Sequence, residues 1–157
     1  MTDLALWPFV LDVHGRPGVE EALHELQDTH GHSVDYLLWA LWITASGRVV
    51  GDDDLDAAAR LSRGWQDAAV APLRDLRRAL KTPSQVAPRH AWEGLRGKVK
   101  SLELDAERML LEMLEAASPP PGDAAADASE ALRRAAAIWG GSAPAALLER
   151  LASASGV

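Results

Sequence analysis

The spacing of apolar residues between Trp92 and Ala116 constrains the fold of this chain more than any other feature. Intervals of three and four residues alternate without a fault through the series Trp92, Leu95, Val99, Leu102, Ala106, Met109, Met113 and Ala116. This a/d heptad pattern predicts one helix from about His90 to Ala117, roughly 40 Å long. Leucines on both sides widen the apolar stripe, so we expect several helices to pack on it: Leu104, Leu110, Leu111 and Leu114.

The rest of the chain also favours helices over strands. Alanine (29) and leucine (23) make up a third of the 157 residues, whereas Ile, Val, Thr, Phe and Tyr together number 18. Strands usually need β-branched and aromatic residues, so this composition argues against an all-β fold. The absence of cysteine excludes disulfides and thiolate metal sites.

Capping residues and helix breakers divide the remaining sequence into further helices. We predict helices over residues 3–14, 17–31, 34–45 and from 51 onward, with a connector at 82–88. Pro72 interrupts the fourth helix, so residues 72–81 are either a kinked continuation or a separate helix, with Leu73, Leu76 and Leu80 facing inward. The helix at 34–45 is apolar on nearly all sides, which predicts that it lies at the centre of a bundle.

These patterns predict an all-α fold: an irregular single-domain helical bundle with one long heptad-patterned helix and a short helical C-terminal tail. The bundle covers residues 3–117 and a Pro/Ala-rich linker covers 118–126. The tail covers 127–157 and holds two alanine-rich helices, at about 127–139 and 143–154. The sequence leaves open whether this tail docks on the bundle or is tethered to it.

Charge is unevenly distributed along the chain, whose net charge is −7. Residues 60–100 contain ten Lys or Arg and three Asp or Glu, and hold a basic cluster of Arg74, Arg77, Arg78 and Lys81. The cluster either pairs with the chain's own acids, such as Glu103, Glu107, Glu112 or the 52–56 run, or binds an acidic protein partner. Intramolecular pairing is the simpler interpretation. A pI near 5.1 argues against a nucleic-acid partner.

Two short patterns resemble metal sites. Glu21-x-x-His24 has the spacing of a di-iron ligand pair, and His90-x-x-Glu93 has the reverse spacing. A di-iron bundle needs two correct pairs and two further glutamates, so these four residues form an alternative metal site and not the leading one. Asp52, Asp53 and Asp56 fit DDxxD, but acids at a helix N-terminus are explained by capping.

No serine, threonine or glycine-rich segment has the context of a nucleophile or phosphate loop. We therefore predict no catalytic residues and no cofactor. Most of the six tryptophans fall on apolar stripes and are expected in the core. Trp139 is the exception, because it lies in the tail beside two glycines, and we predict that it binds a partner.

Three segments in this order resemble a family of small helical bacterial proteins of unknown function: 7–42 (WPFVLDVHGRPGVEEALHELQDTHGHSVDYLLWALW), 65–81 (WQDAAVAPLRDLRRALK) and 95–114 (LRGKVKSLELDAERMLLEML). The resemblance covers about residues 4–117. It implies a bacterial cytoplasmic setting and brings no established activity.

The leading functional hypothesis is a non-enzymatic interaction or adaptor protein of the cytoplasm. Its contact residues would be Arg74, Arg77, Arg78, Lys81 and Trp139, with an acidic protein or a second copy as the partner. The alternative is a helical bundle that binds a small ligand or a metal, which includes an enzyme. The sequence favours a non-enzymatic protein without deciding the question. No apolar run is long enough to span a membrane.

Overall fold

The fold of the chain is all-α in a computed structural model that describes residues 4–156. Residues 3 and 157, the predicted outer limits of bundle and tail, lie outside the described residues. Within 4–156 there are eight α-helices and no strands: α1 (Leu6–His14), α2 (Val19–Asp28), α3 (Val34–Ala45), α4 (Asp52–Trp65), α5 (Ala71–Ala79), α6 (Arg89–Ala116), α7 (Ala128–Trp139) and α8 (Ala145–Ser155). None of them is long and apolar enough to cross a membrane.

Side-chain caps fix several helix starts. The Ser33 hydroxyl accepts a 3.3 Å hydrogen bond from the Tyr36 amide, and α3 begins at Val34, the predicted start. Asp127 caps α7 by accepting hydrogen bonds from two backbone amides. At the start of α4 the Asp54 carboxylate accepts a 2.8 Å hydrogen bond from the Gly51 amide. Part of the acidic 52–56 run therefore has a local structural role.

Helix α3 forms the centre of the bundle, as its apolar sequence predicts. Every residue from Tyr36 to Thr44 is buried, and the helix contacts α1, α2, α4, α6 and α7. Its two indoles point to different neighbours. The Trp39 indole donates a 2.8 Å hydrogen bond to the Ser118 hydroxyl, and the Trp42 indole donates one to the Leu4 carbonyl. Both polar groups of these large side chains are therefore satisfied inside the core.

A π-helical segment, Gln66–Val70, joins α4 to α5. Pro72 lies in the first turn of α5, where its missing N–H costs least. The π turn contains one extra residue and accommodates the interruption at Pro72, so the chain continues from α4 into α5 without a loop. The Trp65 indole donates a 2.8 Å hydrogen bond to the Ala106 carbonyl and fixes this junction to α6.

The tail is docked, which settles the question that its sequence leaves open. Helix α7 packs on α3 and α4, and α8 packs on α2 and α7. Leu132, Ala135 and Leu151 are completely buried within the same core as α3. The preceding segment is held by backbone hydrogen bonds from Gly122 to Ser46 and from Ala124 to Gly47. The division of the sequence at 118 and 127 stays a prediction, but both tail helices contribute to one core.

The predicted burial of α5 and α6 is wrong at several positions. Leu95, Leu102 and Met109 are about half exposed at 52%, 53% and 49%, although the heptad pattern placed them in the core. Leu104 and Leu76 are also about half exposed. The reason is that the surrounding helices cover only one side of α6. Its buried face is shifted around the helix from the predicted one, keeps two of the heptad positions and includes a carboxylate: Val99, Glu103, Ala106, Leu110, Leu111 and Leu114.

Candidate ligand-binding cleft

A cleft of about 800 Å³ opens between α1, α2, the start of α3, α5 and the middle of α6. One wall is apolar and is formed by side chains from α1, α2, α3 and α6: Trp7, Val10, Leu23, Leu38, Leu104 and Leu111. The lining also holds a group of charged side chains: Asp35, Arg74, Arg77, Glu103 and Glu107. His14, His24 and Lys100 also line the cleft.

Four of the charged residues form an ion-pair network between α5 and α6. Arg74 Nε donates to Glu103 Oε1 and Arg74 Nη2 donates to Glu107 Oε1, both at 3.2 Å. Arg77 also donates to Glu103 through Nε and Nη2. The side chains of Arg74 and Glu103 are only 11% and 9% exposed. The hydrogen bond to Glu103 raises the pKa of the Arg77 guanidinium, so this group stays charged at neutral pH.

Helical periodicity explains why these four side chains meet. Arg74 and Arg77 are three residues apart on α5, and Glu103 and Glu107 are four apart on α6, so each pair shares a helix face. The two faces lie opposite each other. Of the two interpretations of the basic cluster, intramolecular pairing is therefore the one observed for Arg74 and Arg77.

Two carboxylates of the cleft lining, the exposed Glu20 and Asp35, have no ion pair among the described residues, and Asp35 is the more buried of the two. It lies in the first turn of α3 and is partly buried. Within residues 4–156 it makes no hydrogen bond or ion pair. Burial raises the pKa of Asp35 well above its usual value of 3.8; the negative charge of Glu107 adds to this shift and Arg74 opposes it. The pKa of Glu107 is raised as well, mainly by burial, and is lowered by Arg74. Two carboxyl groups with raised pKa values thus lie beside one arginine.

The other predicted contact residues lie outside this network. Arg78 forms a 2.7 Å ion pair with Asp28 of α2, and both side chains are about half exposed. Lys81 is exposed at the end of α5. Trp139 packs against Tyr36 with ring centroids 5.6 Å apart, and its indole donates a 2.9 Å hydrogen bond to the Gly31 carbonyl. Trp139 therefore attaches α7 to the loop before α3.

The four residues of the metal alternative do not gather into a ligand set. Glu21 and His24 are exposed on α2, and His90 and Glu93 are exposed at the start of α6. Glu93 instead accepts a 3.0 Å hydrogen bond from Arg89. Over residues 4–156, no group of three or more His, Asp or Glu side chains could hold a metal ion. His24 lines the cleft without the other three.

Sequence reasoning missed Asp35 as a functional residue, because an acid in the first turn of a helix is ordinary capping chemistry. It predicted Glu103 and Glu107 as pairing partners of the basic cluster and as possible glutamates of the metal alternative, and not as members of a cleft. One feature of the sequence could have identified Asp35: it is a charged residue on a helix that is otherwise apolar on nearly all sides. Any side chain of such a helix points toward a neighbouring helix or a cavity.

The profile of one protein family, described as Protein of unknown function (DUF2390), matches residues 5–114. The chain belongs to this family. The resemblance to an uncharacterised helical family is therefore confirmed. Every residue that lines the cleft lies within the matched region, whereas α7 and α8 follow it. No curated protein and no solved structure matches the chain.

Proposed function

We propose that this protein binds a small molecule in the cleft, with Asp35 as the anchor for a positively charged group of the ligand. The main support is the unpaired Asp35 carboxylate in the cleft lining. This is the small-ligand form of the sequence-based alternative. It assigns no reaction to the protein.

The size and lining of the cleft support this function. Small-molecule sites usually enclose roughly 300–1,000 Å³ and combine an apolar wall with a few placed polar groups. The cleft has about 800 Å³, an apolar wall and one cluster of charged residues. A ligand with an apolar body would lie against Trp7 and Leu104.

The charge balance of the cleft selects the head group of the ligand. Glu103 is paired with two arginines and Glu107 with one, so their charges are compensated. Asp35 has no such partner among the described residues. A buried carboxylate without a partner is unfavourable, and an ammonium or guanidinium group would restore its charged form. An anionic head group would leave Asp35 without a cationic partner and would bind less well.

The proposal is tested with three probes that share one apolar body: hexylamine, hexanol and hexanoate. Protein NMR titrations should show that hexylamine shifts the Trp7 indole signal at the lowest concentration. Asp35→Asn should weaken hexylamine binding by roughly tenfold or more, since the charge-assisted contact is lost. The matched control is Asp53→Asn, which removes a first-turn acid of α4 outside the cleft. Equal binding of the three probes, or unchanged hexylamine binding by Asp35→Asn, would refute the proposal.

A protein-interaction role is the second candidate. It is favoured by the exposed end of α5, where Arg78 and Lys81 adjoin a connector whose residues 81–88 are all exposed. An acidic protein would be the partner. Native purification should lose that partner in the Arg78→Glu/Lys81→Glu variant and retain it in Arg60→Glu, a basic residue exposed on α4. Retention by both variants contradicts this role.

A bacterial cytoplasmic setting is part of the same proposal. It is supported by the resemblance of the three sequence segments to a family with that setting. Fractionation of cells that express a tagged chain tests the compartment, and recovery of the protein outside the cytoplasmic fraction would overturn this assignment.

A further inference from the structure

We propose that two copies of this chain associate through α6, with the two helices packed antiparallel about a two-fold axis at Leu102. The contact surface on each copy is the exposed stripe, defined as Leu95, Leu102 and Met109. These three side chains are 52%, 53% and 49% exposed. None of them belongs to the hydrophobic core of the described chain.

The spacing of the stripe indicates a helical partner. Its members are seven residues apart, which is the repeat that keeps one helix face toward a second helix in a coiled coil. The chain's own core uses a different line along α6, through Val99, Ala106 and Leu110. Packing within one copy therefore explains the heptad positions Val99 and Ala106 but leaves the stripe half exposed.

The stripe is complementary to itself under a two-fold rotation. Leu95 and Met109 lie seven residues to either side of Leu102. Antiparallel packing therefore places Leu102 against Leu102 of the second copy, and Leu95 against Met109 of the second copy. A closed two-fold dimer needs this kind of isologous surface, in which one patch serves both copies.

Charge along α6 selects the antiparallel orientation. Residues 89–100 carry four Lys or Arg and one Glu, whereas residues 101–116 carry five Asp or Glu and one Arg. Glu103 and Glu107 are already paired with Arg74 and Arg77, so the exposed charges beside the stripe decide the orientation. Antiparallel helices place the basic half of each copy against the acidic half of the other, and parallel helices would align like charges. Lys98 and Asp105 flank the stripe on one side, are both exposed and make no ion pair within residues 4–156. They would meet across the axis as two symmetric pairs.

Cross-linking tests the geometry directly, because the chain has no cysteine. Leu102→Cys should form a disulfide-linked dimer under mild oxidation, since the two thiols meet at the axis. Leu95→Cys alone and Met109→Cys alone should stay uncross-linked, whereas an equal mixture of these two variants should cross-link. Efficient cross-linking of Leu95→Cys with itself would overturn the antiparallel arrangement.

Sedimentation equilibrium of the full chain tests the association itself. The wild-type protein should be a reversible dimer, and Leu102→Glu should weaken association by roughly a hundredfold or more because like charges meet at the axis. Val86→Glu is the matched control, since Val86 is 95% exposed in the connector and away from the stripe. Lys98→Glu should weaken the dimer, and Lys98→Glu/Asp105→Lys should restore it. A wild-type protein that is monomeric at every concentration overturns the proposal.

Discussion

Arg74 of α5 and Glu103 of α6 form an ion pair of 3.2 Å that is almost closed to solvent, with side chains 11% and 9% exposed. Glu103 also accepts hydrogen bonds from Arg77. Helix α5 itself has no fully buried residue. The network therefore joins α5 to α6 beside the partly buried Leu73 and Leu80.

Glu103→Ala should destabilise the protein by about 3 kcal/mol, because it leaves the largely buried Arg77 without its carboxylate and Arg74 with Glu107 alone. The matched control is Glu93→Ala, which breaks a solvent-exposed pair with Arg89 on the same helix. It should cost about 0.5 kcal/mol at most. Urea denaturation measures both values. A cost for Glu103→Ala no larger than that of the control would show that α5 is held by other contacts.

Asp35→Asn should make the protein more stable at neutral pH. Burial raises the pKa of Asp35 above its ordinary 3.8, so the folded state holds a proton that the unfolded chain releases. The protonated Asp35 makes its full contribution to the free energy of unfolding at pH values below its pKa in the unfolded chain. That contribution is lost as the pH rises through its pKa in the folded state. An asparagine side chain cannot titrate, so the free energy of unfolding of the variant should not fall with pH in this way.

Denaturation at a series of pH values measures the effect at position 35. Asp53→Asn is the control, because Asp53 is an exposed first-turn acid of α4. Its loss should lower stability by about 0.5 kcal/mol through the helix dipole. If Asp35→Asn destabilises the protein in the same way, Asp35 acts as an ordinary first-turn acid.

Leu132→Ala should destabilise the whole protein by about 2–5 kcal/mol, because Leu132 of α7 is completely buried in the common core. Unfolding should remain a single transition by both circular dichroism and tryptophan fluorescence. Ala137→Gly, an exposed change on the same helix, should cost about 1 kcal/mol. A separate early transition of the tail would contradict a shared core.

Gly47→Ala should be more harmful than Gly31→Ala. Both glycines have left-handed backbones, with φ of 63° and 69°, so either substitution costs about 1–2 kcal/mol of strain. A methyl group at position 47 would also collide with the Gly122 carbonyl, whereas nothing lies within 4 Å of one at position 31. Thermal unfolding of the two variants measures the difference. Equal decreases in melting temperature for the two variants would show that the 118–124 segment moves away from position 47 at little energetic cost.

Helix positions were predictable because their signals are local. The Ser33 cap and the continuous apolar run after it predict the observed bounds of α3, and the heptad pattern predicts α6 within about one residue at each end. Burial was predicted less well. Leu102 and Leu76 fit apolar stripes, yet both are about half exposed, since no described helix covers those faces.

The cleft was not predictable from the sequence, because its residues come from five helices. Arg74 and Glu103 are 29 positions apart, and only packing of α5 on α6 brings them together. Asp35 has the sequence context of an ordinary capping acid, and its raised pKa follows from burial beside Glu107. Trp139 contacts Tyr36 and the Gly31 carbonyl while staying partly exposed, so the partner contact expected from its glycine neighbours stays a prediction.

The helical class of this chain, the approximate ends of its helices and the central place of α3 all follow from local sequence. Those properties depend on backbone propensity, capping and apolar periodicity, which act over a few residues. Three other properties arise only when the helices pack: the tail shares the core, Arg74 and Arg77 pair with Glu103, and Asp35 lines a cleft. These outcomes depend on which helix faces meet, and the free energy of that packing is shared among residues far apart in the chain.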